Sequence, residues 1–167
     1  MAVTTVRSAL IVDSVPEQGA VIKAYFDELG FEVDITTEHA RAFEFLANNG
    51  YELAVVEMTG GKACDFELLQ YITRNLIKTA AIATASTANS RLGPKALEKG
   101  ARSFLVKPFA LEDLNRCVRH AVESQKHAEE AERLARRRQQ ERRDRQIIGS
   151  SPAIRSIGSH ARAPATR

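Results

Sequence analysis

Five short apolar runs, each followed by a stretch with helical periodicity, leave this chain few folds to choose from. Arg7–Val12, Phe31–Ile35, Leu53–Glu57, Ala80–Thr84 and Ser103–Val106 read as strands. The third is apolar until it stops on Glu57, which suits a strand buried on both faces of a parallel sheet. Between the runs, apolar residues recur at helical spacing: Val21, Ile22, Tyr25, Phe26 and Leu29, then Ala42, Phe43, Phe45 and Leu46, then Phe66, Leu68, Leu69 and Ile72. Pro16-Glu17 opens the first helix and Gly30 closes it; Asn48-Asn49-Gly50 ends the second. A fourth helix is predicted over Leu92–Lys99, ending at Gly100, and a long fifth from Leu111.

Strand–helix alternation with short connections makes a parallel sheet covered on both faces, because each right-handed crossover needs a helix. The predicted architecture is α/β, a flavodoxin-like (βα)5 unit with strand order 2-1-3-4-5. In such sheets, chemistry gathers at the carboxyl ends of the strands. There the first strand runs into Asp13-Ser14, the third ends on Glu57, and the fifth runs into Lys107. The expectation is that Asp13, Glu57 and Lys107 converge on one pocket.

Charge divides the chain. Residues 1–125 hold 13 Lys+Arg against 16 Asp+Glu, and residues 126–167 hold 11 against 5. The segment 126–146, KHAEEAERLARRRQQERRDRQ, has no Gly or Pro and only a thin seam of Ala128, Ala131, Leu134 and Ala135. It reads as a continuation of the fifth helix, either a solvated rod held by pairs between Glu129, Glu130, Glu132 and Arg133, Arg136, Arg137, or a short coiled coil with a second copy. The Arg-rich end lacks interleaved aromatics or a reading motif, which argues against direct DNA binding. The predicted division is 1–124 for the globular domain, 125–147 for a charged helical linker and 148–167 for a loose tail. Cys64 and Cys117 lie far apart without metal-ligand spacing and read as plain thiols of a reducing compartment. No run approaches the roughly 18 apolar residues of a membrane span, and the N-terminus lacks the apolar core of a signal peptide; a cytoplasmic location without membrane contact is expected.

The constellation resembles the receiver domain of two-component response regulators over residues 7 to 124. LIVDSVPE is similar to the acidic opening of receivers, YELAVVEM to the strand carrying the phospho-accepting Asp, and FLVKPF to the Lys-Pro-Phe signature. LGFEVDITTEHARAFEFL and KGARSFLVKPFALEDL extend the likeness. The resemblance implies a phosphorelay module in which acids hold Mg²⁺, an Asp takes the phosphoryl group, and Lys107 pairs with the new charge. A strand-four hydroxyl and the strand-five aromatic, at the place of Phe104, would then relay the change to one face.

This chain departs from that pattern. Glu57 stands at the acceptor place, Ser14 replaces the second acid, and the loop Met58–Asp65 lacks the usual Pro while carrying Lys62. Asp13 and Glu57 are left as metal ligands, so Mg²⁺ binding is expected to be weak or absent. Counting back from Lys107 puts Ala85 at the hydroxyl position, and one extra loop residue puts Thr84 there; both stay open. Three readings follow: a pseudo-receiver whose Glu57 mimics activation, an inert scaffold, or a phosphorylated receiver. None of them is an enzyme. A flavodoxin-like cofactor carrier fits less well, because SVPEQ is a helix start with an acid where a phosphate loop belongs.

The tail IIGSSPAIRSI is similar to the opening of the ATPase domain in NtrC-type sigma-54-dependent activators. The chain stops before any phosphate-binding loop or helix-turn-helix, so it reads as the regulatory front end of such an activator, not as an ATPase. The expected partners are a second copy, a sensor histidine kinase or a full-length activator.

Overall fold

The computed structural model describes residues 7–60, 62–75 and 78–149. Five strands, β1 (Arg7–Val12), β2 (Phe31–Thr36), β3 (Leu53–Met58), β4 (Ala80–Ser86) and β5 (Ser103–Lys107), form one sheet in the order β2-β1-β3-β4-β5. Every neighbouring pair is parallel. The predicted flavodoxin-like (βα)5 arrangement is the observed one. Helices α1 (Pro16–Glu28), α2 (His39–Asn48), α3 (Ala63–Asn75), α4 (Gly93–Glu98) and α5 (Leu111–Gly149) supply the crossovers and the C-terminal helical extension.

Strand pleat sorts the core into two layers. Leu10, Val12, Val56 and Met58 pack with Leu46 of α2, Leu68, Leu69 and Ile72 of α3, and Ala96 of α4. Ala9, Ile11, Val55 and Ile82 pack on the other face with Ile22 and Phe26 of α1 and Leu114, Val118 and Ala121 of α5. All six residues of β3, Glu57 included, are buried, as befits a mid-sheet strand covered on both faces. Truncating one of the fully buried leucines to alanine would cost about 2–5 kcal/mol. β2, at the sheet edge, exposes Glu32 and Asp34 between more buried neighbours, charges that discourage edge-to-edge pairing.

The predicted fourth helix, Leu92–Lys99, is observed as α4, one residue shorter at each end, with an unpredicted 3-10 segment before it. A 3-10 segment covers Thr87–Leu92, and α4 is a short helix from Gly93 to Glu98 with Pro94 in its first turn. Proline has no N–H to donate and tolerates only the first turn, so it fixes where the α-helix starts. β4 also runs on to Ser86, two residues past the predicted end. The Lys107–Pro108 peptide is cis.

The chain divides into two compact units, Met1–His127 and Ala128–Arg167. Within α5, Leu114, Val118, Ala121 and Gln125 are buried, whereas residues 135–149 are exposed. Arg136 pairs with Glu132 at 2.5 Å, four residues apart as the sequence spacing suggested, and Arg137 pairs with Glu141 at 3.4 Å, a partner that reading did not name. No helix among the described residues is long and apolar enough to cross a membrane. The tail likeness over Gln146–Ile157 falls mostly outside the described residues.

Candidate functional site

Asp13 follows the last residue of β1 and is 2% exposed. Its backbone N–H donates to the Thr36 carbonyl at 3.1 Å, which holds the end of β1 against β2. One carboxylate oxygen, Oδ1, accepts the Val15 N–H at 2.9 Å, and Oδ2 accepts Lys107 Nζ at 2.6 Å. Glu57, the fifth residue of β3, is 8% exposed. Its Oε1 accepts the same Lys107 ammonium at 3.0 Å. Its Oε2 accepts the Ser14 N–H at 2.8 Å and the Ser14 hydroxyl at 2.5 Å. The structure thus brings Asp13, Ser14, Glu57 and Lys107 into one pocket, with the ammonium bridging two carboxylates.

Burial by itself would push the Glu57 carboxyl up. The Ser14 hydroxyl and N–H outweigh it, followed by Lys107, and the group is held below its ordinary value of 4.5. All four carboxylate oxygens have a donor. Two negative charges meet one positive charge, so the trio carries a net charge of about −1.

The register of β4 decides between Thr84 and Ala85. Thr84 stands level with Glu57 on one side and Leu105 on the other; Ala85 is level with Met58 and Val106. Ala85 joins the layer under α2, α3 and α4, so its side chain belongs to the opposite face. Thr84 is fully buried, and its hydroxyl has no hydrogen-bond partner among the described residues. Phe104 also packs with the layer under α2, α3 and α4, whereas Leu105 packs with the other. Phe104 crowds Gly93, where an added Cβ would lie 2.8 Å from its ring. Phe104 and the ion cluster therefore occupy opposite faces of the sheet.

The β3–α3 loop is shaped by Gly60, whose φ of +88° suits glycine and whose missing side chain leaves room for Asn89. Lys62 is exposed, and its carbonyl accepts the Asp65 N–H at 3.3 Å. Beside the ion cluster lies a cleft of about 630 Å³ lined by Val15, Val21, Ile22, Phe109, Glu57 and Lys107. Its apolar walls include Val21, which is 61% exposed.

The donor set does not suit Mg²⁺. That ion wants octahedral oxygen coordination, usually from one or two carboxylates with free oxygens, phosphates and several waters. Here the oxygens of Asp13 and Glu57 already face N–H and O–H donors, and Lys107 stands between them as the cation. Among the described residues no third carboxylate, imidazole or thiol joins these two at ligand spacing.

A buried pair that sequence reasoning missed lies elsewhere. Asp65, in the first turn of α3, is fully buried; its Oδ1 is 2.9 Å from Nε2 of His39, the first residue of α2. Its Oδ2 accepts the Thr59 N–H at 2.7 Å. Burial pushes this carboxyl up too, but His39 and the Thr59 donors outweigh it and hold it below the ordinary 3.8. An acid in a first helical turn was the only sequence signal, and many surface helices share it.

A parallel sheet in this order, with acids and a lysine gathered at its strand ends, defines a receiver-type signalling domain. Residues 9–119 match the family model described as the response regulator receiver domain, and the chain belongs to that family. Among curated proteins it is similar to the response regulator protein PilR of Pseudomonas aeruginosa, 26% identical over 152 residues, a match covering 90% of this chain and 32% of PilR. The regulatory protein AtoC of Escherichia coli is 23% identical over 154 residues, covering 92% and 33%. The chain thus spans about a third of the length of these relatives. Among solved structures, the signal receiver domain of a putative Luxo repressor protein from Vibrio parahaemolyticus aligns with a TM-score of 0.65 at 20% identity, over 75% of this chain and 97% of that one. At that identity the likeness concerns the fold.

Proposed function

We propose that this receiver is a pseudo-receiver, a regulatory interaction module of a two-component pathway whose switch pocket is held in one state by its own side chains. The observation that carries this reading is the Lys107 ammonium between Asp13 Oδ2 and Glu57 Oε1. Glu57 supplies permanently the negative charge that a phosphoryl group would otherwise bring, and Lys107 answers it. Asp13 shares the ammonium, and Ser14 fixes the far oxygen of Glu57, so the carboxylate is poorly placed to attack. The module works by docking: the apolar cleft offers a surface for a sensor kinase or another regulator, and α5 offers one for a second copy. The tail likeness and the coverage of longer relatives support a role as the receiver of an NtrC-type activator of sigma-54-dependent transcription.

One observation favours a second reading, an Mg²⁺-dependent phospho-accepting receiver. The buried Thr84 hydroxyl has free hydrogen-bonding capacity one strand from Glu57. A single experiment separates the two. The full chain is incubated with acetyl phosphate and Mg²⁺, beside a Ser14→Asp/Glu57→Asp double variant. The expected outcome is no mass change in the parent and a gain of one phosphoryl group in the double variant. A phosphoryl gain on Glu57 or Asp13 of the parent would refute the pseudo-receiver reading.

A further inference from the structure

We propose that His39, Cys64 and Asp65 form a binding site for a divalent cation of the Zn²⁺ class, separate from the Asp13–Glu57–Lys107 cluster. Among the described residues these three form the group whose ligand atoms lie within 4.8 Å of one another. Asp65 Oδ1 is the hub, 2.9 Å from His39 Nε2 and 4.0 Å from Cys64 Sγ. Zn²⁺ bonds of about 2.0 Å to nitrogen and oxygen and about 2.3 Å to sulfur, at tetrahedral angles, set the donor atoms about 3.3–3.6 Å apart. The imidazole and carboxylate would part by a few tenths of an ångström, and the half-buried Cys64 side chain would swing inward by a similar amount.

Two further observations point to a ligand rather than a plain ion pair. His39 Nε2 is buried 2.9 Å from Asp65 Oδ1 but out of line for a good hydrogen bond with the described residues. A cation between the two would take the lone pair of a neutral imidazole and the carboxylate oxygen together. The second observation is the division of labour at Asp65. Its Oδ2 takes the Thr59 N–H at 2.7 Å and the Thr59 hydroxyl at 3.1 Å, which orients the carboxylate as outer-shell donors do in metal sites. Oδ1 also lies 3.2 Å from that hydroxyl, but it is the oxygen that faces the imidazole and the thiol.

The donor chemistry selects the ion. A thiolate with an imidazole and a carboxylate suits Zn²⁺ and its neighbours Co²⁺ and Ni²⁺, whereas Mg²⁺ and Ca²⁺ prefer oxygen alone. Binding displaces the Cys64 thiol proton to solvent, leaving a thiolate–metal bond and no change in oxidation state. Three protein donors leave a fourth position for water, the pattern of an open rather than a purely structural site. Occupancy would tie the start of α2 to the start of α3 and, through Thr59, fix the backbone two residues beyond Glu57. The site stands whether or not Glu57 acts as a switch.

The test is a Co²⁺ titration of the purified, reduced full chain at neutral pH, followed by displacement with Zn²⁺. The expected result is a near-ultraviolet thiolate-to-cobalt band with visible tetrahedral bands, saturating at one equivalent and abolished by Zn²⁺. Cys64→Ser removes the thiolate band, His39→Asn weakens binding at least about tenfold, and Cys117→Ser leaves both unchanged. Circular dichroism without metal checks that each variant is folded; should His39→Asn fail to fold, His39→Gln takes its place. Absence of a thiolate band in the parent overturns the proposal. So does a band lost in Cys117→Ser but kept in Cys64→Ser, or affinity unchanged by either His39 variant.

Discussion

Two buried polar clusters in this domain solve the same problem in different ways. At the ends of β1 and β3, Asp13 and Glu57 share an ammonium covalently attached to the chain, Lys107, which offsets one of their two charges. At the starts of α2 and α3, Asp65 faces His39, a group that is cationic only when protonated, with a thiol beside it. The first cluster carries its own permanent cation and leaves no vacancy for another. The second carries a conditional cation and soft donors, so an external ion can take that role. A tethered lysine closes a carboxylate site, whereas an imidazole leaves it open.

Removing the tethered cation is the sharpest way to break this comparison. Lys107→Met leaves two nearly inaccessible carboxylates facing each other, and the expected loss is about 3–5 kcal/mol in urea unfolding at neutral pH. Added Mg²⁺ should recover part of it, because the vacated space now suits a cation. A loss below about 1 kcal/mol would mean that the bridge is energetically idle.

Glu57→Gln keeps the shape and removes one charge. A loss of about 1–3 kcal/mol is expected at neutral pH, from the charged bonds to Ser14 and Lys107. The sign with pH follows from the depressed pKa. A carboxyl held below 4.5 in the native state contributes stability that is fully present above that value and lost as pH falls through the native pKa. The gap between parent and Glu57→Gln should therefore close on acidification, as read from urea midpoints at a series of pH values. A gap that is constant with pH would point to packing instead of charge.

The smallest effect is expected at Glu132–Arg136, an exposed pair with side chains 42% and 69% accessible. Glu132→Ala should change stability by no more than about 0.5 kcal/mol and be insensitive to Mg²⁺, which provides the baseline for the buried bridge.

Much of the fold could be read from the chain because β3 is apolar until Glu57 and because helix punctuation at Pro16 and Gly30 is local. The convergence of Asp13, Glu57 and Lys107 was legible for the same reason: residues at the ends of parallel strands share one edge of the sheet whatever the loops do. Where loops matter, sequence reading fell short. The choice between Thr84 and Ala85 depends on how many residues separate β4 from β5, and Pro94 divides that connection in a way helical spacing did not reveal. The closeness of Cys64 to His39 gave no sequence signal, because His39 lies far back in the chain. Only the packing of α2 against α3 brings them together, a tertiary fact without a local signature.

Lys107 and Phe104 ride on the same five-residue strand but serve opposite layers of the protein. β5 is terminal in the sheet and hydrogen-bonds to β4 alone. A shift of this strand would strain a single ladder, where β3 would have to disturb two. The ion cluster and the layer under α4 thus meet in an edge strand, held by a single ladder as β2 is at the opposite edge, so a contact that holds Lys107 also restrains the strand that carries Phe104.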